Sequence, residues 1–303
     1  MKKKCVITGG FGFIGSHIAD KMIGEEWDVI CLDNESNSEN NIYHNLLTTN
    51  KNIDICDYES IKPYFENVDC VFHLAAESRI QPSIENPIQA CKTNLVGTAN
   101  VLQASREFGV ERVVYSSTSS YYGLKNQSPL TEEMPRDCLN PYSVTKVGAE
   151  DLCKMYNDLF GLNTITFRYF NVYGERAPKK GTYAPVVGLF IDMYNQGKVL
   201  TVVGDGEQRR DFVHVKDVVE ANYLAATTKN ECCFGEVFNV GSGENFSIND
   251  LARMVAGEEN KAKHIPERKA EARETLADIS KIKSFLQWRP SVNFESWIKK
   301  QIK

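Results

Sequence analysis

The chain of 303 residues is long enough for two domains, or for one large α/β domain with a smaller lobe, at roughly 150 residues per domain. Its 42% hydrophobic and 25% charged residues exclude collagenous and wholly disordered chains. With Lys+Arg 35 against Asp+Glu 40, the formal charge of −5 gives no sequence-wide reason to expect nucleic acid, and points to a small or nucleotide-like ligand.

No stretch approaches the roughly 18 apolar residues that a membrane span needs, so no membrane partner is expected. The opening Met1-Lys2-Lys3-Lys4 imitates the basic end of a signal peptide, but the apolar run Cys5-Val6-Ile7 stops at Thr8-Gly9-Gly10. The expectation is a cytoplasmic chain without a leader. The nine cysteines are scattered, most of them in apolar runs, and read as reduced core thiols. Cys232-Cys233 lacks CxxC spacing, and none of the five histidines stands at metal-ligand spacing with another donor type, so no metal is predicted.

In chain order, the first predicted strand, Cys5-Val6-Ile7, runs into Thr8-Gly9-Gly10-Phe11-Gly12-Phe13-Ile14-Gly15 and then a helix over 14–23 with the stripe Ile14, Ile18, Ala19 and Met22. Strand, glycine loop and helix are the context of a dinucleotide fingerprint. Gly9 and Gly12 permit a tight turn and close approach of N–H groups to a pyrophosphate, Gly15 lets the helix pack on the strand, and the helix N-terminus adds partial positive charge. A plain glycine-rich turn is the alternative. The second strand, Val29-Ile30-Cys31-Leu32, ends in Asp33, close to the roughly 20 residues beyond the glycines expected for the carboxylate that binds an adenosine ribose. No Arg or Lys follows before Lys51, so NAD is favoured over NADP.

Further strands are expected at Cys70-Val71-Phe72-His73-Leu74, Val113-Val114-Tyr115-Ser116 and Thr164-Ile165-Thr166-Phe167, with a long helical pattern over 87–108. Strands alternating with helices predict an α/β fold, a doubly wound parallel sheet. The hydroxyl-rich stretch 115–123 closes one strand where ligands of an open α/β sheet bind, and a hydroxyl there can hold a substrate oxygen and relay its proton. Asn140-Pro141 starts a helix that carries Tyr142 and Lys146 at i and i+4, on one face. A phenol near pKa 10 is a poor base, but a neighbouring ammonium and a nicotinamide cation both favour the phenolate. A solvated helix face is the plain reading of such a pair alone; behind a dinucleotide site it becomes a reactive pair. After residue 170 the texture changes: loops at 177–181 and 204–206, a strand Val237-Phe238-Asn239-Val240, and dense charge over 257–273.

These blocks together resemble the extended short-chain dehydrogenase/reductase family, within it the NAD-dependent nucleotide-sugar epimerases and dehydratases, and most of all UDP-sugar 4-epimerases. The resemblance spans nearly the whole chain: TGGFGFIG (8–15), DN (33–34), DI (54–55), HLAA (73–76), TNLVGT (93–98), SST (116–118), NPYSVTK (140–146), RYFNVYG (168–174), GDGEQRRDFVHV (204–215), FNVGSG (238–243) and ADISKIKSFLQWRP (277–290). It implies a Rossmann domain of 1–170 with about 212–241, and a smaller C-terminal substrate-binding lobe of about 171–211 with 242–303. By position it puts Phe13, Ile14, Asp33, Asn34, Asn37, Asp54, Ile55, Leu74, Ala75, Ala76, Asn94 and Phe170 around NAD, with Tyr142 and Lys146 touching the cofactor and doing the chemistry. Asn171, Arg210 and Arg268 fall where the family binds the nucleotide diphosphate, and Glu271 where an acidic residue meets the ribose.

The implied reaction is epimerisation at C4 of a UDP-hexose: hydride passes to NAD⁺ while phenolate Tyr142, helped by Thr118, takes the O4 proton, and the 4-keto sugar turns over before hydride returns. The related 4,6-dehydratases follow the position of Thr118 with Asp-Glu, where this chain has Ser119-Ser120, so dehydration lacks its catalysts. Thr275 falls where some epimerases carry a bulky aromatic, and a small side chain there admits an N-acetylhexosamine. Another conversion of the same superfamily (2-epimerase, dehydratase or reductase) and a non-catalytic NAD-binding protein are the alternatives. The family commonly forms homodimers through two helices per subunit, here about 87–108 and 141–160.

Overall fold

The computed structural model describes residues 2–36, 42–178, 185–257, 262–267 and 272–302. Its strands are β1 (Lys4–Thr8), β2 (Asp28–Asp33), β3 (Thr49–Asn52), β4 (Cys70–His73), β5 (Arg112–Thr118), β6 (Asn163–Tyr169), β7 (Asn171–Tyr173), β8 (Thr201–Val203), β9 (Arg209–His214), β10 (Glu236–Val240), β11 (Asn245–Ser247) and β12 (Lys263–Ile265). Seven of them form one parallel sheet in the order β10-β6-β5-β4-β1-β2-β3. The helices are α1 (Phe13–Gly24), α2 (Tyr58–Ile61), α3 (Ile80–Glu85), α4 (Pro87–Cys91), α5 (Thr98–Glu107), α6 (Pro141–Phe160), α7 (Val186–Asn195), α8 (Val215–Thr227), α9 (Ile248–Ala256), α10 (Ser280–Leu286) and α11 (Phe294–Gln301).

Strand alternation explains the two layers. Cys5, Ile7, Val29, Cys31 and Phe72 point to a core shared with Ile18 and Met22 of α1 and Val218 of α8. Val6, Ile30, Leu32, Val71 and Val113 point the other way, onto Ile61, Val101, Leu102, Ala149 and Cys153 of α2, α5 and α6. All six strands expected from their β-branched runs are in this sheet, including the one at 237–240, which returns beside β6 after the chain has left. The sheet's outermost strand, β3, has the polar sequence TNKN and gives no apolar signal, because an edge strand need not be buried on both faces.

The long helical pattern over 87–108 is not one helix. Its middle, Lys92–Gly97, is π-helical, between α4 and α5. Such an insertion swings one side chain inward and is frequent at functional sites; here the side chain is Asn94, 1% exposed.

The remaining strands make a three-stranded sheet, β11-β9-β7, and the pair β12-β8. With α7, α9 and α11 they enclose a separate apolar cluster around Phe190, Leu251 and Phe294. Among the described residues no helix is long and apolar enough to cross a membrane.

Candidate functional site

The strand order places a switch point between β1 and β4: the chain leaves β1 toward β2 and β3, then crosses to the other side with β4. Ligands of open α/β sheets bind in the crevice beyond the carboxyl ends at such a point. A cavity of about 740 Å³ lies there, lined by Gly9, Gly12, Phe13, Ile14 and Gly15, by Asp33, Asn34 and Ile55, by Leu74, Ala75 and Ala76, and by Tyr142, Lys146 and Asn171.

The glycines are needed for backbone approach. Gly9 has φ +70°, and a Cβ there would sit 2.8 Å from the Ala75 nitrogen; one on Gly15 would sit 2.1 Å from the Gly9 oxygen. Gly12 meets only the Gly9 oxygen, at 3.3 Å, and caps α1 with no side-chain bond and no acidic residue in the first turn. The N–H groups at this helix start are therefore available to an anion. At the end of β2, the Asp33 carboxylate accepts from Phe11 N–H at 3.1 Å and Glu35 N–H at 2.9 Å. Burial pushes this carboxyl up, against those two bonds. Its cavity neighbours Asn34, Glu35 and Ser36 are neutral or acidic, which suits a ribose diol and not a phosphate. A glycine cradle followed by a carboxylate is the donor set a dinucleotide requires.

A directed chain of hydrogen bonds fixes the turn after β4. Ala75 N–H donates to Thr8 Oγ1 at 3.3 Å, and Thr98 Oγ1 donates to the Asn94 carbonyl at 2.6 Å. Between them His73 meets Thr8 Oγ1 through Nδ1 at 2.7 Å and Thr98 Oγ1 through Nε2 at 2.8 Å. Since the Thr98 hydrogen is committed to Asn94, Nε2 carries the His73 proton and Nδ1 accepts from Thr8. Burial pushes this imidazole down to about 3, so it stays neutral. The Asn94 side chain holds the next segment, accepting from Glu77 N–H at 2.8 Å and donating to Glu77 O at 3.1 Å and Thr145 Oγ1 at 2.9 Å.

Helix α6 starts with a capping box between Asn140 and Ser143 and has Pro141 in its first turn, so its opening turn is locally encoded. Tyr142 N–H donates to Ser83 Oγ of α3 at 3.0 Å. The nearby Thr118 hydroxyl favours the Tyr142 phenolate, but burial is the larger effect and raises the phenol above its usual value. Lys146 is 3% exposed, with Nζ 4.4 Å above the Tyr115 ring. Burial pushes its ammonium down to about 7, opposed by Cys153 and Glu150. By itself, then, the chain holds a protonated phenol one helical turn from a lysine whose charge burial disfavours.

A second cavity, of about 220 Å³, adjoins the first; Ile80 and Asn171 line both. Ser119, Ser120, Arg210 and Thr275 line the second. Thr275 is 8% exposed, and its hydroxyl accepts from Asn171 Nδ2 at 3.4 Å and Asp211 N–H at 3.3 Å. Arg210 Nη1 donates to the Arg209 carbonyl at 2.9 Å. Asn37, Arg268 and Glu271 lie outside the described residues. Four expected residues, Asn94, Asp54, Thr118 and Phe170, line neither cavity. Asp54 accepts from Cys56 N–H at 2.8 Å. Thr118 accepts from Ser120 N–H at 3.1 Å, and Phe170 is 4% exposed against Tyr122.

Several residues of the site escape sequence reasoning. Glu77, Arg79 and Gln81 line the larger cavity, as does Arg176, which has φ 63° and is tied to Asp20 at 2.6 Å. Behind the reactive pair, Glu150 of α6 pairs with Arg168 of β6 at 2.8 Å, both buried, and accepts from Ser117 Oγ. This pair clamps the end of β5, which carries Thr118, onto the helix that carries Tyr142. Nothing in the chain marks two charges that meet only through the fold.

The model of the NAD dependent epimerase/dehydratase family matches residues 5–241. A UDP-N-acetyl-alpha-D-glucosaminuronate decarboxylase of Bacillus cytotoxicus is 37% identical, over 100% of this chain and 97% of its own. A UDP-glucuronate 4-epimerase of Thermodesulfobacterium geofontis is 32% identical, over 98% and 94%. Among solved structures, UDP-glucose 4-epimerase from Thermotoga maritima with UDP-glucose superposes with a TM-score of 0.92 at 33% identity, covering 98% of this chain and 96% of that one. A switch-point crevice floored by glycines and these matches along the whole chain lead to one conclusion: the chain is an enzyme of the NAD dependent epimerase/dehydratase family, a nucleotide-sugar superfamily whose cofactor is NAD.

Proposed function

We propose that the protein epimerises C4 of a UDP-hexose, with Tyr142 as the acid and base. The observation that carries this reading is the place of the Tyr142 phenol. It lies near the Thr118 hydroxyl and opens on the larger cavity, which shares Asn171 with the smaller one. A sugar lying across that boundary presents its ring to Tyr142, while its diphosphate extends toward Arg210. The glycine loop and Asp33 would hold NAD, which would supply reversible hydride transfer at the sugar carbon and a cationic ring favouring the phenolate that burial alone disfavours.

Thr118 then donates to the phenolate oxygen, and Tyr142 takes the O4 proton and later gives one back. Ser119 and Ser120 line the smaller cavity directly after Thr118, so no carboxylate stands there to eliminate water. Thr275 keeps the opposite wall small, which leaves room for an N-acetyl group. Relatives named for hexoses and for uronic acids both fit this geometry, so the substituent at C6 is where the readings divide.

The test is a panel of nucleotide sugars followed by proton NMR with no NAD added. Conversion of UDP-glucose to its C4 epimer by the purified protein is expected. Strict dependence on added NAD, with stoichiometric NADH release, would count against the reading, since an epimerase must keep its reduced cofactor to finish the reaction.

We further infer a homodimer. Val144, Met155 and Leu159 recur at helical spacing on the outer face of α6, 54%, 37% and 68% exposed, beside Ile88 at 81% and Val96 at 51% on the α4 and π-helical segment. Contiguous apolar surface of this kind marks an interface, and two like faces complete a four-helix contact by two-fold symmetry. Sedimentation is expected to show twice the chain mass at micromolar concentration, with Leu159→Glu shifting it to the monomer; a monomeric unmodified protein would end the proposal.

A further inference from the structure

Arg79 closes the loop between β4 and α3 and lines the larger cavity together with Glu77, Gln81 and Tyr142. The next residue, Ile80, lines both cavities, so the guanidinium stands one residue from the boundary described above. Its Nη2 is buried and has no hydrogen-bond partner among the described residues. The other cations of this cavity are accounted for: Arg176 is tied to Asp20 at 2.6 Å, and Lys146 is enclosed over Tyr115. Glu77, two residues before Arg79, feels its charge, but its main chain is pinned by Asn94 and its carboxylate leaves Nη2 unpartnered.

A buried charged donor without an acceptor is costly, and a planar guanidinium fork matches a carboxylate. The anion that fills it can come from the cofactor diphosphate or from the sugar. Position favours the sugar. The glycine loop and the α1 N-terminus receive the diphosphate beyond β1, whereas Arg79 precedes α3, whose Ser83 holds Tyr142 N–H. In a hexuronate the carboxylate is borne on C5, the carbon next to C4, and C4 carries the oxygen that meets Tyr142. A carboxylate on that carbon therefore lies beside the reacting centre, where Arg79 stands.

We propose that Arg79 reads a carboxylate at C6 of the sugar, so that a nucleoside-diphosphate uronate is preferred over a neutral hexose. This deepens the epimerase reading and rests on it for the direction of the bound sugar. The test is calorimetry on the protein with its bound NAD, carrying Tyr142→Phe to prevent turnover, titrated with UDP-glucuronate and with UDP-glucose. UDP-glucuronate is expected to bind roughly 10- to 100-fold more tightly, the range of a charge-assisted pair. Arg79→Met is expected to remove that preference while leaving UDP-glucose within about twofold of its affinity, and Arg79→Lys to keep part of it, having charge without the fork.

Equal affinities for the two ligands, or an equal loss of both in Arg79→Met, overturn the proposal. So does a fall in NAD content with the preference unchanged, which assigns the guanidinium to the cofactor diphosphate. C4 epimerisation of UDP-glucose without any preference for the uronate would sink this proposal and leave the epimerase standing. A preference with no C4 epimer from either sugar would sink the epimerase reading instead, and the proposal would then stand on the binding alone.

Discussion

Tyr142→Phe is expected to lower kcat by roughly 10²- to 10⁴-fold, the range for loss of a positioned acid and base, with the protein still folded and still loaded with NAD. The fold has little reason to notice the change. Tyr142 is tied to Ser83 through its main-chain N–H, which phenylalanine keeps, and α6 is started by the Asn140–Ser143 box and Pro141. What disappears is one oxygen, the one that the Thr118 hydroxyl influences. Thr118 keeps its bond to Ser120 N–H, so β5 still ends as before. Proton NMR of the product and absorbance of the bound cofactor check the two halves separately. If the variant kept a tenth of the activity, Tyr142 would not be the group that moves the proton.

The parts of this site that sequence reveals are those whose geometry is local. A strand, a glycine loop and a helix start stand within a dozen or so residues, and Tyr142 and Lys146 share a helix face by their spacing alone. Asp33 needs only the length of one βαβ half. By contrast, the uninterrupted apolar pattern over 87–108 gives no warning of the π-helical turn at Lys92–Gly97, because that turn is set by what Asn94 finds in space: Glu77 and Thr145 on two other segments. The same holds for Glu150 and Arg168, which are 18 positions apart and read singly as surface charges. In the fold they form a buried pair, stacked under Tyr121 with the Arg168 guanidinium 3.3 Å from the ring centroid. Arg79 is hidden for a related reason: an arginine in a polar loop is ordinary until the loop is seen to line a cavity.

Lys146→Met is expected to abolish turnover and to make the cofactor-free protein more stable. The ammonium is enclosed by Tyr115, the neutral His73, Cys153 and Glu150, and burial, the largest effect, brings it from 10.5 down to about 7. In the unfolded chain the same group holds its proton up to about 10.5. Folding therefore opposes the charge. The penalty is complete below about pH 7, where the folded protein must carry a buried ammonium, shrinks as pH rises, and vanishes near the unfolded value. Methionine is of similar length and carries no charge, so it removes this penalty and keeps most of the packing. At about 1.4 kcal/mol per pH unit, with part of the penalty relaxed by Glu150, the gain near neutral pH is on the order of 2–4 kcal/mol. That corresponds to a rise in Tm of several degrees for a chain of this size. Thermal scans of both proteins without cofactor at pH values from about 6 to 10 should show the Tm difference greatest at the acid end and closing toward the alkaline end. A difference that stays flat with pH, or a variant less stable at neutral pH, would mean that Lys146 is not held against its charge. An ammonium kept where burial disfavours it stabilises nothing in the empty fold, and under the proposed reaction its use begins when a bound cofactor brings acceptors to it.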